Sequence, residues 1–131
     1  MLVAAANGHG DIVSLLLTNK ANIEHKDSSG NTALTHAALH NGISILTMLL
    51  QHGADVNSRN AGDSTALIWA SFTGNIDMVK IFLQHGADIT ITNDMGDTAL
   101  TLATKRNHTA IVDVLTKHTS PSPHPRPTQP P

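Results

Sequence analysis

The chain contains no cysteine and no tyrosine, and its aromatic residues are Trp69, Phe72 and Phe82 alone. Without cysteine there are no disulfides and no thiolate zinc sites, although this absence does not fix a compartment. With so few rings, any core must be built from Leu, Ile, Val, Ala and Met. Proline is absent before Pro121, so no proline interrupts a helix in the body of the chain. Neither sign of charge dominates: eight basic and ten acidic residues give a formal charge of −2. That is too little to point to nucleic acid or an anionic membrane as a partner. No apolar run is long enough for a membrane-spanning helix. The start, MLVAAANG, is apolar but lacks a basic leader, so it reads as structure rather than as a signal remnant.

What the chain does have is an echo. LLQHGADV at 49–56 returns as FLQHGADI at 82–89, displaced by 33 positions. The same displacement aligns Thr32, Thr65 and Thr98, then Ala33, Ala66 and Ala99, then Leu34, Leu67 and Leu100. Ala4, Ala37, Ala70 and Ala103 form another column, as do Leu16, Leu49, Phe82 and Leu115. A period of this length means a stack of supersecondary units.

Positions 8, 41, 74 and 107 are Gly, Asn, Gly and Asn, the residues that most readily take the left-handed backbone at a helix end. A short helix is therefore predicted over 33–40, 66–73 and 99–106, with the preceding threonine as its cap. A second helix is predicted over 44–52, 77–85 and 110–118. Its apolar residues, such as Ile45, Leu46, Leu49 and Leu50, form one stripe. Asp11, Ser44 and Asp77 stand at its start, and Gly53 and Gly86 end it. Turn-rich segments such as ADVNSRNAGDS join the units as hairpin-like loops. The fold class is all-α, a helix-turn-helix solenoid in which each pair buries its stripe only by stacking on its neighbours.

This unit resembles the ankyrin repeat. GNTALTHAALHNG, STALIWASFTGN and GDTALTLATKRN are similar to that family's T-P-L-H-x-A-A opening, and HGADVN and HGADIT to its G-A-D-V-N close. The resemblance covers residues 1–118: a partial repeat at 1–26, repeats at 27–59 and 60–92, and a C-terminal capping repeat at 93–118. The family's proline is Ala33, Ala66 and Ala99 here, and its histidine is Thr35, Ile68 and Thr101. Those departures predict a stack less stable than an idealised array. Met1 falls in the column of Leu34, so the first unit lacks its loop and threonine cap. Its apolar, uncapped end predicts further repeats or a contact there. Residues 119–131, TSPSPHPRPTQPP, carry all six prolines and read as a disordered tail. Within it, the P-x-x-P spacing of PTQP and the Ser-Pro pairs at 120–123 offer a second, weaker interaction mode.

Catalysis has little to stand on: no Gly-rich phosphate loop and no arrangement of nucleophile and base that the repeat would assemble. No cofactor is expected. His36 and His40 share a helix face, but the pattern places no third metal ligand beside them, so no metal is expected. Nine histidines leave the charge sensitive to pH below about 6. The resemblance implies a non-catalytic module that binds one or more proteins, in the cytoplasm, the nucleus or both. A regulatory or substrate-recruiting fragment of a larger enzyme or adaptor is the alternative. In the family, loop tips and first helices line a concave binding face. Carried over by position, that face holds Ser28, Ser29, Asn31, Leu39 and His40, then Ser64, Phe72 and Thr73, then Asp94, Met95, Asp97, Lys105 and Arg106. Phe72 and Arg106 are the candidate anchors, because aromatic and Arg side chains dominate interface energies. Trp69, one turn from Phe72, is expected to pack against the adjacent unit. Asn57, following Asp55 and Val56, resembles the family's setting for asparagine hydroxylation by a 2-oxoglutarate-dependent enzyme. Its alternative role is to hydrogen-bond the loop.

Overall fold

A computed structural model describes residues 2–119, which form eight helices. They are α1 (Leu2–Ala6), α2 (Gly10–Thr18), α3 (Ala33–Leu39), α4 (Ile43–Gln51), α5 (Ala66–Thr73), α6 (Ile76–Gln84), α7 (Ala99–Lys105) and α8 (Thr109–Thr119). The odd-numbered helices pack side by side in one row and the even-numbered helices in another, each pair closed by its own tight turn. Thr119, expected to open the proline-rich tail, instead closes α8, and the rest of that tail, 120–131, lies outside the described residues.

Each first helix begins where its threonine stands. Thr32, Thr65 and Thr98 have extended backbones, and their hydroxyls accept from the amides of Thr35, Ile68 and Thr101. One orphan donor of each first turn is thus satisfied. At two of the three positions where the resemblance expects histidine, a threonine adds to the cap. Thr35 Oγ1 and Thr32 Oγ1 lie 3.3 Å apart, and Thr101 closes a reciprocal capping box with Thr98. Ile68 offers no such bond, but it is buried in the core. At the far end the chain turns on left-handed residues, Gly8, Asn41, Gly74 and Asn107, as their column predicts.

The second helices start one residue earlier than expected. Gly42 precedes α4, and Asn75 caps α6 by accepting from Met78 N–H. Asp11 and Asp77 instead lie within the first helical turn, where a negative charge suits the helix dipole. Both rows contribute to a single core. Leu46, Leu49, Met78, Val79, Phe82, Ile111 and Leu115 are fully buried between the rows, facing the alanine columns at 33, 37, 66, 70, 99 and 103. Small residues in the first helices allow a close approach, and branched or long residues in the second fill the space.

The loops are hairpin turns without strands among the described residues. Backbone N–H groups of Asp27, Asn60 and Asn93 donate to the carbonyls of Asn31, Ser64 and Asp97. Successive hairpins also join to each other: Ala61 N–H donates to Ser29 O, and Asp94 N–H to Gly62 O, each at 2.9 Å.

Candidate functional site

The hairpins are held by a column that the sequence pattern had not singled out. Asp27 Oδ1 accepts from the amides of Ser29 and Asn31, Asn60 Oδ1 from Gly62 and Ser64, and Asn93 Oδ1 from Met95 and Asp97. Asp, Asn and Asn at 27, 60 and 93 carry a signal: acceptor side chains at the repeat spacing, each two residues before a turn. The amide of Asn31, then the side chain of His36, hold the Asp27 carboxyl below its ordinary pKa. His36 Nε2 donates to Asp27 Oδ2 at 2.8 Å, since an ionised carboxylate can only accept. That bond, with the stacking of His36 on His40 at 6.2 Å between ring centroids, accounts for this histidine pair. Among the described residues no cluster of metal-ligating side chains is present.

The first helices present a continuous surface beside these hairpins. Between α5 and the last hairpin it deepens into a cleft of about 220 Å³, lined by Ser64, Ile68, Trp69, Phe72, Asn93, Met95, Asp97 and Leu102. Trp69 and Phe72 meet edge to face with centroids 5.9 Å apart, and the Arg106 guanidinium lies 4.1 Å from the centre of the Phe72 ring. Met95 stands at the rim, 81% exposed. Lys105 Nζ donates to Asp97 Oδ1 at 2.7 Å across the same rim. Half-buried Trp69 therefore does more than pack against its neighbour, because its ring forms part of the cleft wall. Its Nε1 is shielded from solvent and has no hydrogen-bond partner among the described residues.

The other expected face residues are spread along the stack. Ser28, Ser29 and Asp94 are exposed at hairpin tips, and Asn31 accepts at Oδ1 from Asn60 Nδ2. Ser64 is the exception: it is buried, and reaches the surface only as part of the cleft lining. Leu39 and Thr73 lie at the opposite ends of their helices, in a second depression of about 470 Å³ at the turns, with Asn41 and Asn75. His40 is exposed beside Leu39. The expected face is thus divided into a hairpin-side cleft and a turn-side depression.

Asn57 occupies a joint. Its Oδ1 accepts from Asp88 N–H of the next unit at 2.7 Å, as Glu24 Oε2 accepts from Asp55 N–H one unit earlier. The hydrogen-bonding role is therefore met between repeats rather than within the loop.

These features, two rows of paired helices, threonine caps and stacked hairpins on a 33-residue period, coincide with a match to the family model for ankyrin repeats over residues 1–60 and 58–124. The chain belongs to the ankyrin-repeat family. No curated protein matches it by sequence. Ankyrin repeats are generally protein–protein interaction modules and typically non-catalytic. No helix among the described residues is long and apolar enough to cross a membrane.

Proposed function

We propose that this ankyrin array binds a partner protein in the cytoplasm or nucleus through its hairpin tips and first helices, with the Trp69–Phe72 cleft as the anchoring point. The observation that carries this reading is the cleft's composition. Two rings, an exposed methionine and a guanidinium stacked on a ring are displayed together on a rigid surface. Such groups supply most of the energy in protein interfaces, because they bury large areas at small cost in side-chain entropy. The stacked hairpins hold the cleft in place before any partner arrives.

A pull-down read by mass spectrometry tests the reading with three forms: the intact chain, Phe72→Ala with Arg106→Ala, and the chain ending at His118. Circular dichroism first establishes that helix content is kept. The double variant is expected to lose a partner that the shortened chain retains, with affinity down at least about tenfold. A partner kept by the double variant and lost on shortening would move the activity to the proline-rich tail.

Hydroxylation of Asn57 is a separate proposal, at the joint between two repeats. Its support is the Asp-Val-Asn setting, and its constraint is the bond to Asp88. Peptide mass spectrometry from cells with active 2-oxoglutarate-dependent hydroxylases is expected to find one added oxygen at Asn57. An unmodified residue there would remove the proposal.

A further inference from the structure

The cleft at Trp69 and Phe72 offers contacts that the described residues leave unused. Some are apolar: the two rings meet edge to face, and Met95 stands exposed beside them. Others are polar. Trp69 Nε1 is a buried donor with no acceptor among the described residues, a costly state for an N–H group. Next to Met95 in the hairpin, the exposed Asp94 carboxylate forms no ion pair among the described residues, whereas Asp97 is held by Lys105. The sequence beyond α8 carries the complement of each. SPSPHPRPTQPP, residues 120–131, has six prolines, one arginine and no acidic residue. Proline-rich segments dock on aromatic surfaces, and a polyproline helix brings every third residue, such as Pro127 and Pro130, to one side. Such a helix makes no internal hydrogen bonds, so its carbonyls are free to accept from an indole.

We infer that residues 126–130, RPTQP, dock in the Trp69–Phe72 cleft of their own chain, so that the array guards its binding site with an internal ligand. In this pose Arg126 pairs with Asp94 at the hairpin, Pro127 and Pro130 lie along the aromatic wall, and the indole N–H turns to a backbone carbonyl of the segment. The inference rests on the reading of the cleft as a binding site and names its first occupant. The reach is sufficient. In earlier units the chain passes from the end of the second helix to the hairpin between Gln51 and Asn60, and between Gln84 and Asn93. Arg126 falls in the column of Asn60 and Asn93. From Thr119, the end of α8, an extended segment reaching to Arg126 spans about 22 Å. A tether this short holds the segment at a local concentration on the order of millimolar. Weak docking therefore suffices to fill the cleft until a tighter partner displaces the segment.

Acrylamide quenching of Trp69, the only tryptophan, reads the cleft directly in the intact chain. A segment that fills the cleft half of the time halves its exposure, so Pro127→Ala with Pro130→Ala is expected to raise the quenching constant about twofold. Helix content is expected to stay unchanged, since both residues lie beyond α8. A synthetic peptide of residues 119–131 is expected to restore protection to that variant, saturably. Arg126→Glu is expected to act like the proline variant, and adding Asp94→Lys to restore protection, which a merely structural role for Asp94 would not do. Equal quenching of the intact chain and the proline variant would overturn the inference. Protection that grows with protein concentration would overturn it too, because the segment would then come from a second copy. Equal quenching leaves the pull-down to decide the partner reading, since an unguarded cleft still binds. A protected Trp69 beside an empty pull-down would do the reverse.

Discussion

Phe82→Ala is expected to destabilise the array by about 3–5 kcal/mol, a large share of the 5–15 kcal/mol typical of a domain. Phe82 is the largest fully buried side chain, and alanine would leave a cavity where the ring had been. The consequence is amplified by the architecture. A repeat stack has only nearest-neighbour interfaces, so a unit that loses its core loosens both junctions it makes. Phe82 lies on α6, which packs against both α4 and α8, so the defect falls between the second and fourth units. Urea unfolding followed by circular dichroism checks the magnitude. Trp69, the only tryptophan, adds a local reporter within the damaged unit. The expected result is that fluorescence changes at lower urea than helix content, because the third unit opens before the first two. Coincident transitions in the variant would mean that the stack stays cooperative despite the cavity.

The same interiors explain how much was legible beforehand. Helix order, threonine caps and left-handed turns follow from residues that act within four or five positions of themselves, and a repeat shows each of them three or four times. The period then fixes which helices are neighbours, since one unit can only stack on the next. The cleft was legible in part. Phe72 and Arg106 stand out as departures from the repeat, and the contact between them is the one that a first-helix position allows. The column of Trp69, with His36 and Leu102, borders the adjacent unit and so predicts packing. What the column cannot express is that Met95 turns outward at the hairpin and leaves the indole forming a wall. A loop position predicts an exposed Ser64, but the stacked hairpins bury it. Cross-unit bonds such as Asn57 to Asp88, or His108 to Ser71, depend on the rise between units, a quantity that no single repeat encodes.

That last bond sets up a prediction in which two distant positions must change together. Gly74→Val is expected to cost about 2–4 kcal/mol, combining backbone strain with a lost hydrogen bond. Gly74 has φ +87°, which a β-branched residue rarely adopts. A Cβ there would stand 2.7 Å from His108 Nε2 and 2.9 Å from His108 Cε1. The imidazole cannot retreat freely, because its Nδ1 is hydrogen-bonded to the carbonyl of Ser71 at 2.9 Å. One unit earlier the same junction is built differently. Asn41, also left-handed, stands at the position of Gly74, and Asn75 stands at that of His108; Asn75 Nδ2 donates to Asn41 Oδ1. Apart from the first junction, where Gly8 meets Gly42, the array therefore contains two self-consistent solutions, glycine beneath histidine and asparagine beneath asparagine. Gly74→Asn alone relieves most of the backbone strain, since asparagine accepts the left-handed region, but it still displaces the ring. Adding His108→Asn recreates the other solution. Urea denaturation of the two single variants and the double is expected to show positive coupling, with the double more stable than the single losses predict by roughly 1 kcal/mol or more. Strict additivity would mean that the two junctions are not interchangeable, and that the hold of His108 on Ser71, rather than the space above Gly74, sets the register of the last unit.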